Sequence, residues 1–166
     1  MEFSVWQGTL AGVTGVVAMA LLLVTMRMAG MTRLDLGLLL GSMVTPDPLH
    51  AKRLGWALQL LGGMGFGLAY AALLAAMDPS PQALPWTGGL LGLAHGMLVG
   101  VALGPLGALH PRAGPRASGC GELVRPPGLF GRHYGPMTPI SLLAAHVLYA
   151  AVTVTLYSWL ISGPVR

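Results

Sequence analysis

Two histidines lie deep inside long apolar runs, His95 in the stretch LAHGM and His146 in the stretch AAHVL. Ionisable side chains are rare within membrane spans and are treated as functional until shown otherwise. His95 falls roughly 13 Å in from the start of its run and His146 roughly 12 Å in from the start of the next, at 1.5 Å per residue. In a hydrocarbon core about 30 Å thick, antiparallel spans would leave the two rings about 5 Å apart in depth. Two imidazoles at similar depth could ligate a haem b iron or another transition metal, or hydrogen-bond a quinone. The plainer reading has each neutral ring donating to a carbonyl or hydroxyl of a neighbouring helix, and small-residue faces make that easy. The sequence alone favours the plainer reading and leaves the other open.

The remaining candidates carry less. A tetrahedral zinc site wants four ligands, and no third intramembrane ligand is visible. His50, His110 and His133 fall at span ends and read as surface histidines. Their spacing with Cys120 matches no metal motif. Ten methionines suggest soft thioether ligands for copper, but they form no ladder and read as apolar filler. Gly-x-Ser-x-Gly, His-Glu-x-x-His and phosphate-loop patterns are all absent. No pair of intramembrane carboxylates offers acid–base work, and the catalytic set is read as empty. Gln7 and Gln59 are the remaining polar candidates near or in the spans, and Gln59 is expected to bond across helices.

The elements that must position the two histidines follow from composition. Of 166 residues, 54% are hydrophobic and 8% charged, with a mean hydropathy of +0.71. Soluble domains are about 25% charged, so lipid is the main solvent of this chain and disorder is excluded. Four stretches reach the roughly 20 residues that a span needs: about 6–28, 55–77, 86–109 and 138–161. The apolar run from residue 6 follows no basic start and outlasts a signal-peptide core, so it is expected to stay as the first span. Between spans one and two, the apolar stretch at about 32–44 is too short to cross and is expected to form an interfacial or re-entrant helix. Thr32 is its expected cap, with Asp35 in its first turn and Arg27 or Arg33 as the partner of Asp35. The segment 110–136 holds five prolines and four arginines and is expected to be irregular, its Leu129-Phe130 pair dipping into the interface.

Glycine sets the packing. Gly88, Gly92, Gly96, Gly100 and Gly104 recur every fourth residue along span three. Small residues at this spacing let two backbones approach closely, the chief means of helix association in lipid. Gly8 and Gly12, Gly63 and Gly67, and Ser141 and Ala145 give the other spans small faces of their own. The pattern does not say whether the close contact is within the chain or with another chain.

The stretches Gly30 to Leu36 and Leu40 to Met43, the pair His95-Gly96, and Tyr134-Gly135-Pro136-Met137-Thr138-Pro139 resemble a group of small prokaryotic four-helix membrane proteins without assigned function. The resemblance implies an integral membrane bundle and supplies no activity or site.

The expected molecule is one all-α transmembrane domain over residues 1–166, with four spans. Its partners would be the lipid bilayer and other membrane subunits or further copies of itself, and not nucleic acid, since the basic residues sit in loops. The first expectation is a non-enzymatic subunit or accessory protein of an energy-transducing or transport complex. The alternatives are a haem- or quinone-binding electron-transfer protein using His95 and His146, and a self-assembling channel or carrier.

Eight of the nine basic residues fall on one side, seven in the segments after spans one and three and Arg27 at the end of span one. The positive-inside rule makes that side cytoplasmic, with both termini outside and the plasma membrane as the location. Trp6, Trp86 and Trp159 would mark the outer interface and Trp56 the inner one. A single cysteine placed in segment 78–84, with Cys120 replaced, should therefore react with a membrane-impermeant maleimide added to intact cells. Labelling only after lysis would reverse the orientation.

Overall fold

The computed structural model describes residues 1–113 and 124–163. Arg116, Cys120 and Arg166, which enter the charge and metal arguments above, lie outside the described residues. The described chain is all-helical and without strands, an isolated bridge joining Ala113 and Val124. Helices α1 (Val5–Met28), α3 (Pro48–Met77), α4 (Leu84–Leu109) and α5 (Thr138–Ser162) are each long and apolar enough to cross a membrane. Between them lie the six-residue helix α2 (Leu36–Gly41) and a 3₁₀ segment (Leu129–Tyr134).

The span limits agree closely with the expected ones except at α3, which begins at Pro48 and not near residue 55. Counting apolar residues misses this start because the first turns carry Lys52 and Arg53, which belong in water or headgroups. The start signal is local. Asp47 caps the helix through the His50 N–H at 2.7 Å, and Pro48 follows at the first helical position, where a missing N–H costs nothing. The His50 backbone N–H, and then its ring, hold the Asp47 carboxyl below the ordinary value of 3.8.

The short helix differs more from expectation. Thr32 does not cap it. Its hydroxyl lies 2.8 Å from that of Thr138 and accepts the Leu34 N–H at 3.1 Å, so Thr32 ties this segment to the start of α5. Asp35 is the cap, accepting the Leu38 N–H at 3.0 Å. Its partner is Arg27 at 2.7 Å, with Lys52 at 3.8 Å. Phe130 and Leu129 pack on α4, the Phe130 ring covering Gly100 and the Leu129 side chain covering Gly104. Phe130 and Gly131 adopt left-handed backbone angles, φ 54° and 68°, which turn the chain back toward α5.

The helices associate through their glycines. A Cβ on Gly92 would stand 2.6 Å from Val147 Cα and 2.7 Å from the His146 carbonyl oxygen. Gly88 and Gly96 face the same helix, so three of the five spaced glycines of α4 lie against α5 and the last two against the 3₁₀ segment. The contact is within the chain. On α5 it is received by Leu143, His146, Val147, Ala150 and Ala151 rather than by Ser141 and Ala145. α1 meets α3 where a Cβ on Gly67 would stand 2.6 Å from Gly12 Cα. α2 lies on α3 with Gly41 against the Ala51 carbonyl and Gly55 against that of Gly37. Packed pairs thus run α3–α1–α5–α4. The consecutive helices α3 and α4 are not among the closely packed pairs.

Gly92→Ala should lower the melting temperature in detergent, since overpacking against backbone costs about 1–3 kcal/mol. Gly65→Ala, where a Cβ would meet nothing within 4 Å, should not. Equal melting temperatures for both variants would mean that the α4–α5 approach does not hold the bundle.

Candidate functional site

His95 and His146 meet. α4 and α5 are antiparallel and close at Gly92 and Gly96, and this brings the two ring centres to 4.8 Å, with planes 71° apart. Three other aromatic side chains complete the cluster. Phe66 of α3 stacks on His95 at 3.8 Å, and Tyr149 of α5 stands edge-on to it at 5.6 Å. Tyr70 of α3 lies edge-on to His95 at 6.1 Å and 5.7 Å from Tyr149. Phe66, Tyr70 and Tyr149 were not singled out from sequence. A signal existed, because tyrosines favour the interfaces of a membrane and these two sit mid-span.

Hydrogen bonds set the chemistry of each ring. His146 Nδ1 lies 2.8 Å from the Leu142 carbonyl, four residues back on its own helix. A carbonyl only accepts, so Nδ1 carries the proton and neutral His146 presents a bare Nε2. The one side-chain hydrogen bond of His146 among the described residues is that of Nδ1. His95 Nδ1 is 3.1 Å from the Tyr70 hydroxyl, which also lies 3.3 Å from the Leu91 carbonyl. Tyr70 has one proton to give. When it goes to Leu91, His95 Nδ1–H donates to the phenol and Nε2 is bare. When it goes to His95, Nε2 carries the proton. The pair therefore offers one fixed acceptor and one nitrogen able to accept or donate. Tyr149 is committed elsewhere, donating to the Gly63 carbonyl of α3 at 2.7 Å.

Both histidines line an apolar cavity of about 280 Å³. Val16 and Met19 of α1 and Tyr149 of α5 form its back, α3 and α4 its sides, and Leu36 and Leu40 its floor. Leu58, Gly62 and Phe66 of α3 and Ala102 of α4 are exposed at its edge, so the cavity opens sideways, between two spans that touch through Phe66, Tyr70 and His95 and whose backbones stay apart. Gln59 lines it too, but does not bond across helices as expected. Its amide N–H₂ reaches only the Gly55 carbonyl of its own helix, at 3.5 Å.

A haem held axially by both histidines does not fit. Two imidazoles on opposite faces of one iron, each nitrogen about 2 Å from the metal, hold their ring centres about 6 Å apart with a macrocycle between them. Here the centres are 4.8 Å apart, and α4 is sealed by Gly92 against the backbone of His146 and Val147 and by Gly96 against His146 Cβ and Leu143. Among the described residues no three His, Cys, Asp or Glu side chains converge as metal ligands.

The other histidines divide. His50 and His133 are exposed, bonded to Asp47 and to the Pro126 carbonyl. His110, expected at the surface, is 1% exposed. Its Nε2–H donates to the Leu39 carbonyl at 2.9 Å and its Nδ1 accepts the Arg112 N–H at 3.1 Å, so it joins the end of α4 to α2. Both nitrogens are satisfied, which makes it a structural staple. No family model, no curated protein and no solved structure matches the chain.

Nitrogen-15 NMR of histidine-labelled protein in micelles should place the His146 proton on Nδ1. Tyr70→Phe should change the signals of His95 and leave that tautomer of His146 in place. A His146 proton on Nε2, or an unchanged His95, would contradict this bonding.

Proposed function

We propose that this membrane protein binds a lipid-soluble ring compound of the quinone and quinol class, with His95 and His146 engaging its oxygens. The observation that carries the reading is the convergence of both histidines on one apolar cavity that opens sideways between α3 and α4. The size supports it. The cavity of about 280 Å³ exceeds the ~150 Å³ void that admits a benzene ring, leaving room for substituents and the start of a tail. The polar groups support it as well. The bare Nε2 of His146 suits a quinol hydroxyl, and His95, through Tyr70, can accept from a hydroxyl or donate to a carbonyl. An apolar pocket with a few convergent polar groups is the usual form of a small-molecule site.

The reading is one of binding. A place in a larger energy-transducing or transport assembly rests on composition alone, and no described feature favours it. A self-assembling channel would want a polar stripe along a span, whereas the four polar lining residues Gln59, His95, His146 and Tyr149 cluster at one cavity.

Decylubiquinol added to the purified protein in detergent should bind saturably. His146→Leu keeps the bulk and removes the acceptor, and should weaken binding about tenfold, the worth of one buried hydrogen bond. Leu93→Ala, on the exposed face of α4, should not. Absence of saturable binding, or unchanged affinity in a His95→Leu, His146→Leu double variant, would overturn the proposal.

A further inference from the structure

The basic end of the bundle holds a second cavity, of about 220 Å³, between the last turns of α1 and the first turns of α3. Arg27 lines it from α1, Lys52 and Trp56 line it from α3, and Asp35 lines it from the segment that roofs it. Its charges do not cancel. Asp35 Oδ2 lies 2.7 Å from Arg27 Nη1 and 3.8 Å from Lys52 Nζ, while Oδ1 is used to cap α2. One carboxylate serves two cations, leaving a net positive charge at the mouth. On its far side Arg27 lines an adjoining hollow of about 390 Å³ with Arg33, and no acidic residue lines that one.

The surroundings identify the source of the anion. The apolar wall directly below Arg27 is Ala20, Leu23 and Val24, on a helix apolar enough to cross the membrane. Val24 is 39% exposed and Trp56 41%, so the cavity faces the bilayer side of the bundle and carries an indole at its rim. Cations at the mouth, an interfacial indole and an acyl-lined wall beneath match the order of groups in a phospholipid. Basic pockets between spans bind anionic headgroups by this means.

We propose that this cavity binds the phosphate of an anionic phospholipid, with Arg27 and Lys52 on its oxygens and its chains along Ala20, Leu23 and Val24. The site shares the lining residues Leu36 and Gln59 with the histidine cavity but none of its charged groups, so the two proposals are tested independently. Asp35 competes with the phosphate for both cations and sets how strongly the lipid is held.

The test is native mass spectrometry of protein released from nanodiscs of phosphatidylcholine with a minor fraction of phosphatidylglycerol. The wild type should retain phosphatidylglycerol over phosphatidylcholine. Lys52→Gln should lose about fivefold of that preference, one cation near a membrane surface being worth about that factor. Arg53→Gln removes the same charge from the exposed neighbouring position and should keep most of the preference. Asp35→Asn keeps an oxygen for the α2 cap and frees both cations, and should raise retention. No preference in the wild type, or equal losses in the Lys52 and Arg53 variants, would overturn the proposal. Displacement of the lipid by millimolar inorganic phosphate would assign the site to a free anion and overturn it equally.

Discussion

Lipid tails are as apolar as leucine, so helices in a membrane gain little from merely touching. They gain from dispersion contact at short range, and the range is set by what stands between the backbones. In this protein that is often nothing more than hydrogen. Gly12 and Gly67 bring α1 onto α3, Gly92 brings α4 onto α5, Gly41 and Gly55 bring α2 onto α3, and Gly15 meets the Tyr149 carbonyl of α5. The seam between α3 and α4 lacks such a contact. Gly62 and Gly65 of α3 have no atom within 4 Å of where a Cβ would be. The distribution of glycines therefore decides both where the bundle closes and where it stays open.

The histidine cavity is the consequence. Burying an imidazole in lipid costs several kcal/mol unless its N–H finds an acceptor. His146 finds one on its own helix and His95 finds the Tyr70 hydroxyl, so both rings are tolerated without being consumed by structure. His110 illustrates the other outcome. It is more deeply buried than His146, and both its nitrogens are spent on holding α4 to α2. The contrast between a ring with a free nitrogen on a cavity and a ring with none separates a proposed binding group from a staple more sharply than burial does.

Much of the fold was legible because membrane helices are governed by length and apolarity, both of which are local. The four spans, and the glycine face of α4, come from counting. What was not legible depends on partners distant in sequence. Thr32 reads as a cap until Thr138, 106 residues on, takes its hydroxyl. Leu129 and Phe130 read as an interfacial pair, and their own run does not show that they also meet the glycines of α4. The site was half legible. Two histidines in apolar runs announce themselves, and comparable depths make their meeting reasonable. Phe66, Tyr70 and Tyr149 resemble ordinary span residues, and the cavity depends on the backbones of α3 and α4 standing apart, which no single span encodes.

The ends of the bundle show how that cleft is bounded. At one end the Tyr157 hydroxyl donates to the Glu2 carbonyl at 2.8 Å and accepts the Ser4 N–H at 3.1 Å, and the N-terminal amine pairs with Asp78 at the end of α3. At the other end α2 rests on α3 through Gly41 and Gly55, while His110 and Arg112, just past α4, bond to Leu39 and Ser42. The short helix thus joins the two helices that flank the cleft, and Leu36 and Leu40 close its floor. With the floor apolar and held by buried hydrogen bonds, the open direction is sideways. A polar solute would have to shed its water to arrive that way, whereas a molecule already dissolved in the bilayer would not. The proposed ligand is of that kind, a ring compound that partitions into lipid before any hydrogen bond to histidine contributes.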